Sequence, residues 1–213
     1  SNHRYSYESA QKAIDDINDG SVGTESDIAV FTLNEIAKKM RKVRDKIEFT
    51  RVEHKFVLDE NKVPIGISLK ESLDTNKLIE EYMLLANRSV SKYLAKNPSV
   101  YRIHDTPNED KLGEFIEFVG RFGYTDFKMG NDKEIMTSMN KLMGDIKDTA
   151  EESLIGTLAV RTMSKAKYTT ENVGHYGLDF DYYTHFTSPI RRYPDLISHR
   201  LVTNYLDSKN VGN

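Results

Sequence analysis

Cysteine and tryptophan are absent from the 213 residues, and proline occurs only five times. Without cysteine there is no disulfide scaffold, no thiolate zinc site and no cysteine nucleophile. No apolar run approaches the roughly 18 residues of a spanning helix, so no membrane partner is expected, and no signal peptide is visible. Charge of one sign is lacking too. Thirty Lys and Arg face 33 Asp and Glu, a formal net charge of -3. That excludes a globally basic nucleic-acid binder and confines any such site to a local patch. No glycine-rich phosphate loop, G-x-S-x-G elbow or H-E-x-x-H helix occurs. What is present is 30% charged residues, Lys and Glu prominent among them, in a chain long enough to bury a core without staples. A soluble, helix-rich, cytoplasmic protein is expected.

Periodicity predicts a short helix over 5–19, with Ala10, Ala13, Ile14 and Ile17 at helical spacing and Ser6 or Tyr7 at its entry. A loop over 20–26 leads to a long helix from Glu25 to Ile47, its apolar stripe formed by Ile28, Phe31, Leu33, Ile36, Met40 and Val43. From Ile47 to Lys70 the period changes to two. Val52, His54 and Phe56 alternate with charged residues, Asp59-Glu60-Asn61 makes a turn, and Ile65, Ile67 and Leu69 alternate again, which predicts a β-hairpin. Helices are predicted over 78–94, 108–122, 131–143 and 149–165, with a short strand at Tyr101–His104. Residues 168–187 read as aromatic strand and loop, and a last helix runs from near Pro194 to about Leu206. The sum is α+β and helix-dominated, with no repeat and no evident domain break.

The densest chemistry is His185-Phe-Thr-Ser-Pro-Ile-Arg-Arg-Tyr-Pro-Asp195. Ser188 before Pro189 reads as a helix cap with proline at the first helical position. Arg191 and Arg192 then lie in or beside a first turn, where free N–H groups already favour anions. Two guanidiniums there offer planar forks of donors to phosphate. The structural alternative is a capped turn whose arginines pair with surface carboxylates. Six of the twelve tyrosines fall between Tyr168 and Tyr205, with Phe180 and Phe186 among them. That composition suits base stacking in a nucleic-acid groove, and equally an ordinary core. The helix over 78–94 is apolar almost all round and is expected to be buried, yet Glu80, Glu81 and Asn87 are set into it. Glu80 and Asn87, seven apart, share a face. A buried carboxylate needs a partner or a task, and an ion pair with a nearby arginine is the ordinary solution. Six histidines (His3, His54, His104, His175, His185, His199) show no familiar metal spacing, so no protein-held metal is expected. His199 lies four residues after Asp195, which predicts a helical side-chain pair.

Gly174-His-Tyr-Gly-Leu178, then Tyr183-Thr-His-Phe-Thr-Ser-Pro-Ile-Arg-Arg-Tyr-Pro-Asp-Leu196 and His199-Arg200, resemble the signature of the RNase II/RNase R family. Upstream, Tyr7-Glu-Ser-Ala-Gln11, Leu78-Ile-Glu-Glu-Tyr-Met-Leu-Leu-Ala-Asn87 and Tyr101-Arg-Ile-His104 resemble further motifs of that family, the ribonuclease R branch being the nearer. The resemblance implies a helix-rich part of an RNB catalytic domain and a processive, hydrolytic 3′-to-5′ exoribonuclease that releases 5′-mononucleotides from single-stranded RNA. It implies that Arg191 stands at the scissile phosphate as a catalytic residue. By the same resemblance Tyr7 and Glu80 read the ribose, and Phe49 clamps the stacked 3′ bases. Arg192, His185 and Ser188, in the same motif as Arg191, are expected to contact RNA.

The family's magnesium site is an aspartate cluster of pattern D-x-x-x-x-x-D-x-D-D, and nothing in this chain matches it. Asp15-Asp16 lacks the spacing. Magnesium is therefore expected in a parent enzyme through aspartates absent from this chain. Ser1-Asn2 reads as a cleavage scar, so residues 3–213 are expected to be the middle and later part of one RNB domain truncated at both ends, inactive alone. Exposed strand edges are expected to favour pairing between copies. Two other readings stand beside this one: an RNA-binding pseudonuclease without the aspartates, and a helical interaction module whose arginine motif is structural.

Overall fold

The computed structural model describes residues 3–43, 53–70 and 72–210; the expectations for Phe49 and Val52 lie outside them. In chain order the elements are α1 (Tyr7–Asn18), α2 (Glu25–Lys42), β1 (Glu53–Leu58), β2 (Pro64–Lys70), α3 (Asp74–Leu94), β3 (Tyr101–Ile103), α4 (Glu109–Gly120), α5 (Asp132–Asp145), α6 (Glu152–Thr162), β4 (Lys167–Thr169) and α7 (Tyr193–Asn210), with a 3-10 turn at Tyr176–Leu178. The α+β, helix-rich class is thus the observed one. Several helix starts are written locally. Ser6, Thr24 and Asn131 each form a reciprocal box with the residue three further on, and Asn108 accepts from the Lys111 N–H. No helix among the described residues is long and apolar enough to cross a membrane.

The chain divides into two compact units, with the boundary inside α3 between Met83 and Leu84. In the first, α1 buries Ala10 and Ile14 on the predicted face. The predicted stripe of α2 does not become its buried face: Ile28, Leu33 and Ile36 stay 51%, 43% and 43% exposed, while Asn34 and Ala37 are buried. Apolar residues lie on several sides of α2, and its covered side is the one with the small residues that permit close approach. β1 and β2 pair antiparallel, Phe56 opposite Ile67, and Asp59 ties their turn by accepting from the N–H groups of Asn61 and Val63. The start of α3 is fastened to α1. The Thr75 N–H, an orphan donor of a first turn, donates to Gln11 Oε1 at 3.2 Å, and the Thr75 hydroxyl donates to the Tyr7 carbonyl at 3.0 Å.

α3 corrects a second expectation. It is not buried all round: Leu78, Glu81, Leu84, Asn87, Ser91 and Leu94 form one buried stripe at steps of three and four, while Ile79, Glu80, Leu85 and Tyr93 are exposed. Half of that buried stripe is polar.

The second unit has its main core where α4, α5 and α6 meet, around Leu112, Phe115, Val119, Met136, Met139, Leu142, Ile146 and Ile155. β3 and β4 pair antiparallel, Arg102 opposite Tyr168. A smaller cluster joins Leu84 of α3 to Phe180 and Tyr183, and it supports the segment described next.

Candidate functional site

Two motifs far apart in the sequence meet beyond the end of β3. The His104 N–H donates to the Gly174 carbonyl at 3.1 Å, and the Tyr176 N–H returns to the His104 carbonyl at 2.7 Å. Gly174 stands at φ +82 and so occupies backbone space that favours glycine. Gly177 is needed for another reason. Its N–H donates to His104 Nδ1 at 3.0 Å, and a Cβ there would lie 2.8 Å from that nitrogen. Because Nδ1 accepts, Nε2 carries the proton and donates to the Ser164 carbonyl at 2.7 Å.

From Phe180 onward the chain is pinned from several sides. The Asn87 amide donates to the Tyr183 hydroxyl at 3.2 Å and its oxygen accepts from the Phe186 N–H at 2.9 Å. The inset asparagine of α3 is therefore a clamp on this segment. The Thr184 hydroxyl donates to the Val100 carbonyl at 2.6 Å, and the Tyr183 carbonyl accepts from the Arg102 N–H. Rings continue the contact: His104 and His175 at 5.0 Å, His175 and Tyr183 at 5.1 Å, Tyr183 and His185 at 5.6 Å. The Tyr168 hydroxyl lies 2.6 Å from His185 Nδ1, and the Arg102 guanidinium covers the Tyr168 ring. Burial holds these imidazoles neutral. It pushes His175 down to about 3, with the neighbouring His104, which would repel a second cation, adding to it, and His185 down to about 4, with Arg192 adding to it; His104 is lowered mainly by burial. His185 at neutral pH is thus an uncharged ring, not a cation offered to phosphate.

The segment ends in the turn that carries the arginines. Ser188 is not a helix cap. Its carbonyl accepts from the N–H groups of Arg191 and Arg192 at 3.3 and 3.1 Å, closing a separate turn. α7 opens only at Tyr193, with the Leu196 N–H on the Arg192 carbonyl and Pro194 in the first turn, where its missing N–H costs nothing. The reason is Asp195, which is wholly buried and accepts from the Ser188 N–H at 2.8 Å. The same oxygen takes Arg192 Nη2 at 2.8 Å. The expected Asp195–His199 pair does not form. His199 donates from Nε2 to the Phe186 carbonyl at 2.9 Å and stacks on the Phe186 ring at 3.9 Å.

The two arginines are therefore unlike. Arg192 is mostly buried and ion-paired. Arg191 is exposed and has no side-chain hydrogen bond or ion pair among the described residues. Beside it Ile190 is fully exposed and Tyr193 is 67% exposed. An exposed guanidinium can take a phosphate, and an exposed tyrosine ring can stack a base.

The sequence-predicted residues fall in two places. Arg191, Arg192, His185 and Ser188 are together in the second unit. Tyr7, 47% exposed at the start of α1, and Glu80, exposed on α3, belong to the first. Phe49 is outside the described residues. Sequence reasoning missed the part played by Asp195, although its spacing of three from Arg192 was a readable signal. No group of three or more His, Cys, Asp or Glu among the described residues could hold a metal ion.

The RNB domain family model matches residues 1–208. Ribonuclease R 1 of Lactococcus lactis is 38% identical over 185 residues, covering 85% of this chain and 22% of that protein. DIS3-like exonuclease 2 of Schizosaccharomyces pombe is 39% identical over 208 residues, covering 91% and 22%. The chain thus spans about a fifth of the length of these relatives. Among solved structures, Mycoplasma genitalium RNase R in complex with ribose methylated single-stranded RNA superposes with a TM-score of 0.84 at 28% identity, over 99% of this chain and 33% of that one.

Proposed function

The chain belongs to the RNB domain family, and on that premise we propose that it is part of a hydrolytic, processive 3′-to-5′ exoribonuclease that degrades single-stranded RNA to 5′-mononucleotides. The observation that carries this reading is the Ser188–Arg192 turn, which presents a guanidinium, Arg191, with no partner among the described residues, in the most distinctive motif of the chain. In this reading Arg191 contacts the scissile phosphate and stabilises charge that develops on it. Tyr7 and Glu80 recognise the ribose, Glu80 by accepting from a 2′-hydroxyl, the group that distinguishes RNA from DNA. Phe49 stacks on the 3′ bases. His185 and Ser188 shape the wall beside Arg191. Magnesium, which activates water and stabilises a leaving oxygen in such hydrolysis, is held in this reading by aspartates outside the chain. The described residues offer no site for it.

The test is the full-length protein with magnesium on a 5′-labelled single-stranded RNA and on the DNA of the same sequence. Conversion of the RNA from its 3′ end to a short 5′-labelled limit product without accumulating intermediates, with release of 5′-mononucleotides, and resistance of the DNA, is the expected result. RNA bound but never shortened would identify an RNA-binding relative without catalysis. Neither binding nor cleavage would leave a helical module with a structural arginine motif.

A further inference from the structure

We infer that Asp195 is a positioning residue for this site, acting on cleavage through Arg191, and that Arg192 is its counter-ion and not an RNA contact. The inference rests on the reading of Arg191 given above. One oxygen, Asp195 Oδ1, fastens both ends of the five-residue turn. It accepts from the Ser188 N–H and from Arg192 Nη2, each at 2.8 Å. The turn's own bonds onto the Ser188 carbonyl are longer, at 3.1 and 3.3 Å. Between the two fastened ends lie Pro189, Ile190 and Arg191, the last two exposed. The backbone that carries Arg191 is thus held by a carboxylate that never reaches the surface.

The pair is built for geometry more than for stability. Asp195 is 0% exposed. Its second oxygen, Oδ2, and Arg192 Nε are both buried without a hydrogen-bond partner. Buried polar atoms left unpaired are costly, and a buried ion pair is weak evidence of net stabilisation. A fold that wanted only stability would do as well with apolar groups there. What apolar groups could not supply is an acceptor for the Ser188 N–H and a tether for residue 192 at a single point. Arg192 is withdrawn from RNA by the same contact, since its guanidinium faces Asp195 and its side chain is 21% exposed.

The experiment is a double-mutant cycle in the full-length protein, reading single-turnover cleavage and equilibrium binding of one single-stranded RNA. Asp195→Asn keeps an acceptor near Ser188 but removes the charge that tethers Arg192. It is expected to slow cleavage roughly ten- to a hundredfold, the scale of a misplaced catalytic group, while binding stays within about twofold because no RNA contact is removed. In an Arg191→Ala background the same substitution is expected to cost nothing further, since the group it positions is gone. Should Asp195→Asn fail to fold, Asp195→Asn/Arg192→Gln, which removes both charges together, is measured in its place against the same expectation. An equal loss in both backgrounds, or a loss of binding that matches the loss of cleavage, overturns the positioning role. If Arg191→Ala slows cleavage and Asp195→Asn does not, the positioning role alone falls. If Arg191→Ala changes neither cleavage nor binding, the reading of the site falls, and this inference with it.

Discussion

A lysine at position 191 would keep a positive charge and lose the planar fork of donors. Arg191 is exposed and has no partner among the described residues, so the change should leave folding alone. A contact made to charge developing in the transition state acts on turnover, whereas a uniform phosphate contact acts on binding. Arg191→Lys in the full-length protein is therefore expected to cut single-turnover cleavage on the order of a hundredfold, the scale of one lost electrostatic stabiliser, with RNA affinity little changed. If affinity falls as far as turnover, Arg191 is an ordinary backbone contact. Glu80 can be treated in the same way. It is exposed on α3, and surface substitutions usually move stability by no more than about 0.5 kcal/mol. Losing a hydrogen bond to a charged acceptor costs about 1–3 kcal/mol. Glu80→Ala should therefore lower the ratio of RNA to DNA cleavage by roughly tenfold or more, measured on matched strands. Slower RNA cleavage with unchanged DNA resistance would make Glu80 a structural residue.

Glycines separate what an element needs from what it tolerates. Gly113 lies inside α4 with open space around its would-be Cβ, whereas a Cβ on Gly177 would lie 2.8 Å from His104 Nδ1. Gly113→Ala is expected to stabilise by about 0.5–1 kcal/mol, the helix-propensity difference. Gly177→Ala should cost about 1–3 kcal/mol by forcing His104 from its place. Urea unfolding of each variant decides both, and equal effects would mean that the His104–Gly177 junction carries no strain. These elements also show where the sequence could be read. Helix existence, the entry of α1 at Ser6 and the hairpin were legible because their causes lie within four residues or in a period of two. The buried side of α2 was not legible, because Ile28 and Ile36 look as apolar as any core residue until the neighbouring helix is placed. Ser188 looked like a cap because Pro189 follows it, and only the fold brings Asp195 onto its N–H, seven residues away. Arg191 and the motifs around it stood out by resemblance. The junction of His104 with Gly177, 73 residues apart, could not be inferred from spacing at all.

At the scale of the whole molecule the neutral imidazoles set a pH dependence. His104, His175 and His185 lie in one connected region of the second unit, and burial lowers all three, His175 to about 3 and His185 to about 4. In the unfolded chain each titrates near 6.5. Below that pH the unfolded form takes up protons that the folded form does not, so the unfolded side of the equilibrium is favoured. Their contribution is complete above about pH 6.5 and is lost progressively as pH falls toward 4 and then 3. Carboxylates act in a lower window. Asp27 is held below its usual value by the Tyr5 hydroxyl and Asp126 by Lys141, so their contributions fade only as pH falls below about 4. The two windows can therefore be separated. Thermal melts of the chain are expected to show a midpoint that is flat between pH 8 and 7 and already lower by several degrees at pH 5. His175→Phe provides the control. The ring stays, the buried Nδ1 that has no partner goes, and one titrating group leaves the region. The fall between pH 6.5 and 5 should become shallower in that variant, and the midpoint at pH 5 should move toward that at pH 7. A slope unchanged by His175→Phe would mean that His175 is not held neutral in the folded chain, and a midpoint that rises on acidification would reverse the sign assigned to the whole region.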